Sequence, residues 1–217
     1  AHQKARRRQP ALSVVAEVAR FGVPYYALES VDTAADTDCP SAAVYDHTNS
    51  GIVRVRNNAG ALDWTTDYGG SWTNLDTVTA GQGFALAYDE TNATVILAYG
   101  DGNDLKVRTI SDFATWSSAT VILTEASAIG SVALAADATG DACAFYTLGT
   151  TTTLKRVRRT SGTWAASGTT WSRTADVATL TGLSAVWSTD YYLAVTGTEA
   201  TTNHERLWCY AMGDLGL

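Results

Sequence analysis

Proline, cysteine, methionine and charge are all scarce in this chain of 217 residues: 3 Pro, 3 Cys, 1 Met and 17 % charged residues. Cys39, Cys143 and Cys209 are an odd number at wide spacing, which rules out both a disulfide framework and a zinc motif. Cys143 and Cys209 fall in apolar runs, where a free cysteine is expected to behave as a small buried hydrophobe. No apolar run reaches the ~18 residues that a membrane-spanning helix needs. The three histidines (His2, His47, His204) are scattered and signal neither a metal site nor a nucleophile–base pair. There is no initiator methionine and no signal peptide, so a processed or excised piece is expected.

Strand and turn formers are abundant. The chain has 18 Gly, 7 Trp and 10 Tyr, together with runs rich in Thr, Ala and Val, and β-branched and aromatic residues suit a pleated, half-buried surface. Stretches such as Leu148-Gly-Thr-Thr-Thr-Thr153 oppose helix. The net charge of −7 is uneven: Lys4, Arg6, Arg7, Arg8 and Arg20 face only Glu17 in the first twenty residues, so the rest is acidic. An acidic body repels a phosphate backbone, so Arg6–Arg8 reads as a solvated face or a docking segment for another chain, and no nucleic-acid partner is expected.

An internal repeat organises the chain. Ser41-Ala-Ala-Val-Tyr-Asp46, Phe84-Ala-Leu-Ala-Tyr-Asp89, Val132-Ala-Leu-Ala-Ala-Asp137 and Leu183-Ser-Ala-Val-Trp-Ser188 are alike, small and apolar, and each runs into a polar turn. A second strand follows each turn (52–56, 95–99, 142–147, 192–196), then a third (61–65, 105–110, 154–159, 206–211). In Leu105-Lys-Val-Arg-Thr-Ile110 and Leu154-Lys-Arg-Val-Arg-Arg159, Lys and Arg are interleaved with apolar residues, which reads as the solvent face of an outer strand. A Trp-bearing turn and a fourth strand complete the unit. Four short strands per ~45 residues is the pattern of a propeller blade. The expectation is therefore an all-β propeller of about four four-stranded antiparallel blades, either closed or part of a larger one. Its units lie at 41–82, 83–130, 131–182 and 183–217, with 25–40 as a candidate closing strand and 1–24 as an N-terminal extension: a short helix ended by Pro10, then a strand over Leu12–Arg20.

Thr65-Thr-Asp67-Tyr-Gly69-Gly-Ser-Trp72 fits the pattern Ser/Thr-x-Asp-x-Gly-x-x-Trp and resembles the Asp-box of sialidase-like propellers. A second copy, ending at Trp116, is degenerate, with Ser111 at the Asp place and Phe113 at the Gly place. The resemblance implies a structural staple of Thr65, Asp67, Gly69 and Trp72: an Asp accepting turn amides, a Gly free to take positive φ, and a Trp packed beneath the turn with its N–H partnered. It does not bring sialidase activity with it. That chemistry needs an arginine cluster, a Tyr–Glu pair and an acid/base, and Arg6–Arg8 lacks the surroundings of the family's arginine motif.

No catalytic constellation and no cofactor or metal motif stands out. Asp101-Gly-Asn-Asp104 reads as a hairpin turn before a calcium loop, and Asn92-Ala-Thr94 is a bare acceptor sequon. Trp64, Tyr68, Tyr191 and Tyr192 are candidate ligand-stacking aromatics, with cross-strand packing as the competing reading. The N-terminal run from Gln3 to Pro10, its Val-rich strand and Gly22-Val23-Pro24 resemble the start of propeller-bearing tail or baseplate proteins of phages and prophages. The leading expectation is thus a non-enzymatic structural or adhesion module of a virion tail, docking through its N-terminal segment and presenting loops to partners or surface glycans. The alternative is a secreted lectin-like or glycoside-hydrolase-type Asp-box propeller. Either places the protein on a virion or outside the cell.

Overall fold

The computed structural model describes residues 41–66, 71–149, 153–170, 177–188, 190–199 and 205–211. The chain divides into two compact units, 1–37 and 38–217, and every described residue belongs to the second. The N-terminal extension and the candidate closing strand lie outside the described residues.

The described residues are all-β and form four antiparallel sheets in chain order. Blade one runs β1 (Ser41–Asp46), β2 (Gly51–Asn58), β3 (Ala61–Thr65), β4 (Thr73–Thr77). Blade two runs β5 (Phe84–Asp89), β6 (Thr94–Asp101), β7 (Asp104–Ile110), β8 (Thr120–Thr124). Blade three holds β9 (Ile129–Ala136), β10 (Ala142–Leu148), β11 (Leu154–Thr160) and two short strands, β12 (Thr163–Trp164) and β13 (Thr169–Thr170), both paired with β11. Blade four has three described strands, β14 (Val177–Trp187), β15 (Tyr191–Glu199) and β16 (Glu205–Ala211). This is the propeller-like, blade-by-blade architecture that the repeat implied. Two boundaries move: the inner strand β9 starts at Ile129, two residues before the expected 131, and β14 starts at Val177, six residues before the expected 183. Register shifts at Val177/Thr179 and Leu180/Gly182 let this Thr-rich stretch bulge and still stay paired with β15.

The inner strands pack in series, β1 on β5, β5 on β9 and β9 on β14. Alternation sends each strand's side chains to opposite faces, so every interior blade is apolar on both sides. Val53, Val55 and Leu62 meet Val95, Leu97 and Tyr99 in the first seam; Ile96, Ala98 and Leu105 meet Leu134, Ala144 and Tyr146 in the second; Cys143, Phe145 and Leu154 meet Tyr191, Leu193 and Val195 in the third. Near the start of the inner strands the backbones touch. The Gly83 N–H donates to Gly130 O at 2.7 Å, and a Cβ on Gly83 would lie 2.5 Å from Val132 N. Gln82 knits three blades there: its Nε2 donates to Gly102 O (2.6 Å) and Ile129 O (2.7 Å), and its own carbonyl accepts from Asn57 Nδ2 (3.2 Å).

At the other end a buried aspartate closes each of the first three inner strands. Asp46 Oδ1 accepts the amides of Thr48 and Asn49, and Asp89 Oδ1 accepts that of Asn92 while its Oδ2 takes Asn92 Nδ2 (2.8 Å) and Arg159 Nη1 (2.8 Å). Asp137 holds the amides of Thr139 and Asp141, the Thr139 hydroxyl and, from blade four, the Tyr191 hydroxyl at 2.9 Å. In blade four Ser188 takes this place, and the turn is held instead by the Ser188 N–H donating to Asp190 O.

The interleaved basic residues of β7 and β11 do not form a plain solvent face. Arg108 donates to Asp76 Oδ2 of blade one (3.1 Å) and to the Tyr99 hydroxyl (3.2 Å), while Lys155 pairs with Glu125 at 2.7 Å beside Tyr146, whose hydroxyl donates to the same carboxylate (2.6 Å). The seams are close enough that a long basic side chain reaches the acid on the preceding blade's outer edge. Burial, reinforced by the Asp76 carboxylate, raises the Tyr99 pKa to about 12 and keeps that hydroxyl a donor. Cys143 is buried as expected, with its thiol pKa pushed up to about 12 by burial, whereas Cys209 is exposed.

The same position is buried three times and exposed once. Leu62, Leu105 and Leu154 pair with Asn57, Gly100 and Thr147 and are 0 %, 0 % and 1 % exposed; Leu207, paired with Thr196, is 62 % exposed. Val186 and Tyr192 on the same face are exposed as well. Leu154→Ala should therefore cost about 2–5 kcal/mol and Leu207→Ala less than about 0.5 kcal/mol, read as the shift in urea midpoint at constant m-value. A pH dependence follows from Asp137. Burial alone raises a carboxyl pKa, but here the hydrogen bonds from Thr139, Tyr191 and Asp141 outweigh it and hold the pKa below its ordinary value. The folded pKa lies below the unfolded one, so this stabilisation is complete above the unfolded value and is lost as pH falls through the folded one. Tm should fall below about pH 4, and Asp137→Asn should flatten that slope.

Candidate functional site

Blade one differs from its neighbours on its upstream face, the side turned away from blade two. β2 places Ile52, Arg54 and Arg56 there by strict alternation. Their register partners on β1 are Tyr45, Ala43 and Ser41, all exposed. In blades two and three the positions of Arg54 and Arg56 are occupied by Leu97 and Tyr99 and by Ala144 and Tyr146, all buried in seams. A pair of arginines thus stands where the fold elsewhere puts core.

Both guanidiniums are drawn to one indole. Arg56 Cζ lies 4.3 Å and Arg54 Cζ 5.3 Å from the centroid of Trp72, close enough for cation–π attraction. Arg56 Nε also donates to Asp63 Oδ2 at 3.3 Å, and Asn74 Nδ2 donates to Asp63 Oδ1 at 3.2 Å. Asp63 is buried beside its partners, and Thr65, its neighbour on the same face of β3, is buried too. The result is a half-buried aromatic plate rimmed by two fixed cations, a carboxylate whose oxygens are both engaged, and an amide. Such a surface holds a ligand that offers an apolar C–H face and several hydroxyl oxygens.

The sequence-derived candidates scatter. Of the Asp-box residues, Thr65 and Trp72 join this cluster, while Asp67 and Gly69 lie outside the described residues, as does Tyr68. Trp64 turns to the opposite face and packs edge-on against Trp116, centroids 5.9 Å apart, in the first seam. Tyr191 is buried in the third seam with its hydroxyl on Asp137, so for this candidate the packing reading holds. Tyr192 is exposed on the downstream face of blade four. The degenerate second copy keeps its turn by a one-residue shift: Asp112, not Ser111, accepts the amides of Ala114 and Thr115 (both 2.9 Å), and Phe113 adopts φ 56°. Its Trp116 is buried with no partner for Nε1, contrary to the expectation of a bonded indole. Asp101-Gly-Asn-Asp104 is a hairpin turn whose carboxylates serve Lys106 and Thr124.

Arg54, Arg56, Asp63 and Asn74 carried no motif. The signal available for them was positional: aligned on the terminal Asp of the inner strand, only the first unit has arginines where the second and third have Leu-x-Tyr and Ala-x-Tyr.

No known protein family matches this sequence, and no curated protein does. Solved structures do match the fold. A protein of unknown function from Dyadobacter fermentans has a TM-score of 0.59 at 12 % identity, covering 80 % of this chain and 60 % of its own. The α-L-arabinofuranosidase of Clostridium thermocellum has a TM-score of 0.54 at 13 % identity, with 79 % and 67 % covered. The SapL1 lectin, solved with α-methyl fucoside, has a TM-score of 0.52 at 16 % identity, with 81 % and 62 % covered. This chain therefore spans about three fifths of the first of these proteins. At such identities the likeness is one of fold, shared by carbohydrate-active and carbohydrate-binding propellers.

If Trp72 is a ligand plate and not a staple, Trp72→Ala should leave Tm within a few degrees of wild type. Asp63→Ala, which strips two donors of a buried acceptor, should cost about 1–3 kcal/mol. Thermal unfolding followed by circular dichroism separates the two; collapse of the Trp72 variant would restore the staple.

Proposed function

We propose that this protein is a lectin-like, non-enzymatic propeller that binds glycans on the upstream face of blade one. The observation that carries the reading is the replacement of seam core by Arg54 and Arg56 around Trp72, with Asp63 and Asn74 fixed behind them. An indole ring takes the C–H face of a pyranose, and charge-assisted hydrogen bonds donated by guanidinium and accepted by carboxylate order its hydroxyls. The fold's resemblance to a lectin and to an arabinofuranosidase supports a saccharide as the ligand class. Both Asp63 oxygens are already engaged, which suits a positioned acceptor better than a proton donor. A virion-surface or extracellular setting accords with such a role. The structural or adhesion reading keeps its place as the context in which that face would be presented.

A glycan array probed with the 217-residue chain, followed by titration of any hit, tests this. Binding at millimolar strength or better should fall at least about tenfold in Trp72→Ala and in Arg56→Ala, with Tm preserved. A blank array, or a hit indifferent to both substitutions, overturns the reading.

A further inference from the structure

The third seam contains a second pair of arginines, and one of them lacks what a buried cation needs. Arg156 lies on β11 opposite Phe145. By register that is the place of Trp64, opposite Val55, and of Val107, opposite Ala98. Those two fill the first and second seams with apolar surface. Arg156 brings a guanidinium to the same spot, where its Nη1 is shielded from solvent and makes no hydrogen bond. A buried charged donor without an acceptor costs several times what a satisfied one contributes, so the position is poorly explained as packing. Burial depresses the Arg156 pKa, the signature of that desolvation.

Its surroundings add positive charge. Arg158, two residues on and therefore on the same face of β11, is half-exposed at the mouth of the seam. Its Cζ stands 5.7 Å from the Tyr191 ring, and its Nη2 lies 3.6 Å from Asp141 Oδ2, a long contact that leaves most of the fork unused. Three acids lie nearby: Asp137 serves its turn and Tyr191, Asp141 accepts the Ser161 amide on Oδ1 at 2.8 Å, and Asp190, whose charge favours the Arg156 cation, accepts the Tyr191 amide on Oδ1 at 2.7 Å; none of them is hydrogen-bonded to Arg156 Nη1. Tyr191, Leu193 and Phe145 supply apolar walls.

We infer that the seam between blades three and four is an oxyanion site, in which Arg156 and Arg158 receive a carboxylate or sulfate group carried by a saccharide. Two planar forks one alternation apart match an oxyanion that accepts from both, and the group enters beside the exposed Arg158 to supply the acceptor that Arg156 lacks. The choice of a saccharide as carrier rests on the glycan-binding reading; the oxyanion chemistry does not, since it draws on different residues in a different seam.

The test uses the 217-residue chain with sodium glucuronate and sodium sulfate as separate probes, and sodium chloride at matched ionic strength as control. Tm and isothermal titration are read on wild type, Arg156→Leu, Arg158→Gln and Trp72→Ala. One or both oxyanions should raise wild-type Tm where chloride does not, and the probe that binds tighter tells carboxylate from sulfate. Arg156→Leu should fold with a ligand-free Tm at or above wild type and lose at least about tenfold in affinity; Arg158→Gln, altered at an exposed position, should lose affinity as well, and Trp72→Ala should retain it. Failure of the blade-one reading thus leaves this result intact, and the reverse. The inference is overturned if neither oxyanion shifts wild-type Tm, if chloride acts equally, or if the Arg158 variant binds as wild type.

Discussion

The closing aspartate of the inner strand is the constraint on which the first three blades depend. A β-hairpin turn leaves amides that have no ladder partner and that need an acceptor supplied from elsewhere. Asp46, Asp89 and Asp137 take up those amides with a buried carboxylate, and in doing so fix where the first strand ends and the second begins. Because side chains alternate with period two, that fixed start decides which residues of the second strand face upstream and which downstream. A slip of one residue would put Val53 and Val55 where Arg54 and Arg56 stand. The carboxylates also bind blades together, since Asp89 holds Arg159 and Asp137 holds Tyr191 of the blade that follows.

The first two seams are then variations on one plan. A tyrosine at an equivalent position of the second strand, Tyr99 or Tyr146, reaches back to an acid on the outer edge of the preceding blade, and a basic residue from the third strand neutralises that acid. Charge placed this way is partly desolvated and hydrogen-bonded on several sides, which makes it more consequential than an exposed ion pair. Blade one lacks the tyrosine because Arg56 stands in its place, and blade four leaves Leu207, Tyr192 and Val186 open on its downstream face. The two end faces are chemically unlike, one cationic and aromatic, the other apolar.

Much of this could be read from the sequence. The inner strands, the hairpin turns and the third strands lie where the repeat of small apolar residues ending in Asp put them, because alternation and turn chemistry are local signals. The parts that could not be read depend on seams. Arg108 and Lys155 looked like solvent-facing residues since alternation tells which residues share a face but not what that face meets. Tyr191 could be read as a stacking aromatic or as core for the same reason. The Asp-box resemblance pointed to the right region of blade one, yet it directed attention to the turn, whereas Trp72 turned out to be gathered with arginines from the neighbouring strand. Asp112 shows how a motif can drift by one residue and keep its function, because an Asp one place later still reaches the turn amides when Phe113 accepts a positive φ.

In a repeat fold, a position that is core in one unit can hold a different chemistry in the next, as at the two arginine pairs, where the proposed sites lie. The seams of blades two and three already define a slot at each alternate position of the second and third strands, with its walls supplied by neighbours. An arginine placed in such a slot keeps its aliphatic stem against apolar surface and delivers a planar cation to the rim. At Arg54 and Arg56 the guanidiniums find the indole of Trp72, and Arg56 finds the Asp63 carboxylate as well. At Arg156 the slot is closed by blade four, so the guanidinium is held with its donor unmet. One arginine pair is thus satisfied within its own blade and the other is not, and on that difference rest the two proposed sites, an oxyanion receptor in the third seam and a sugar platform on the first face.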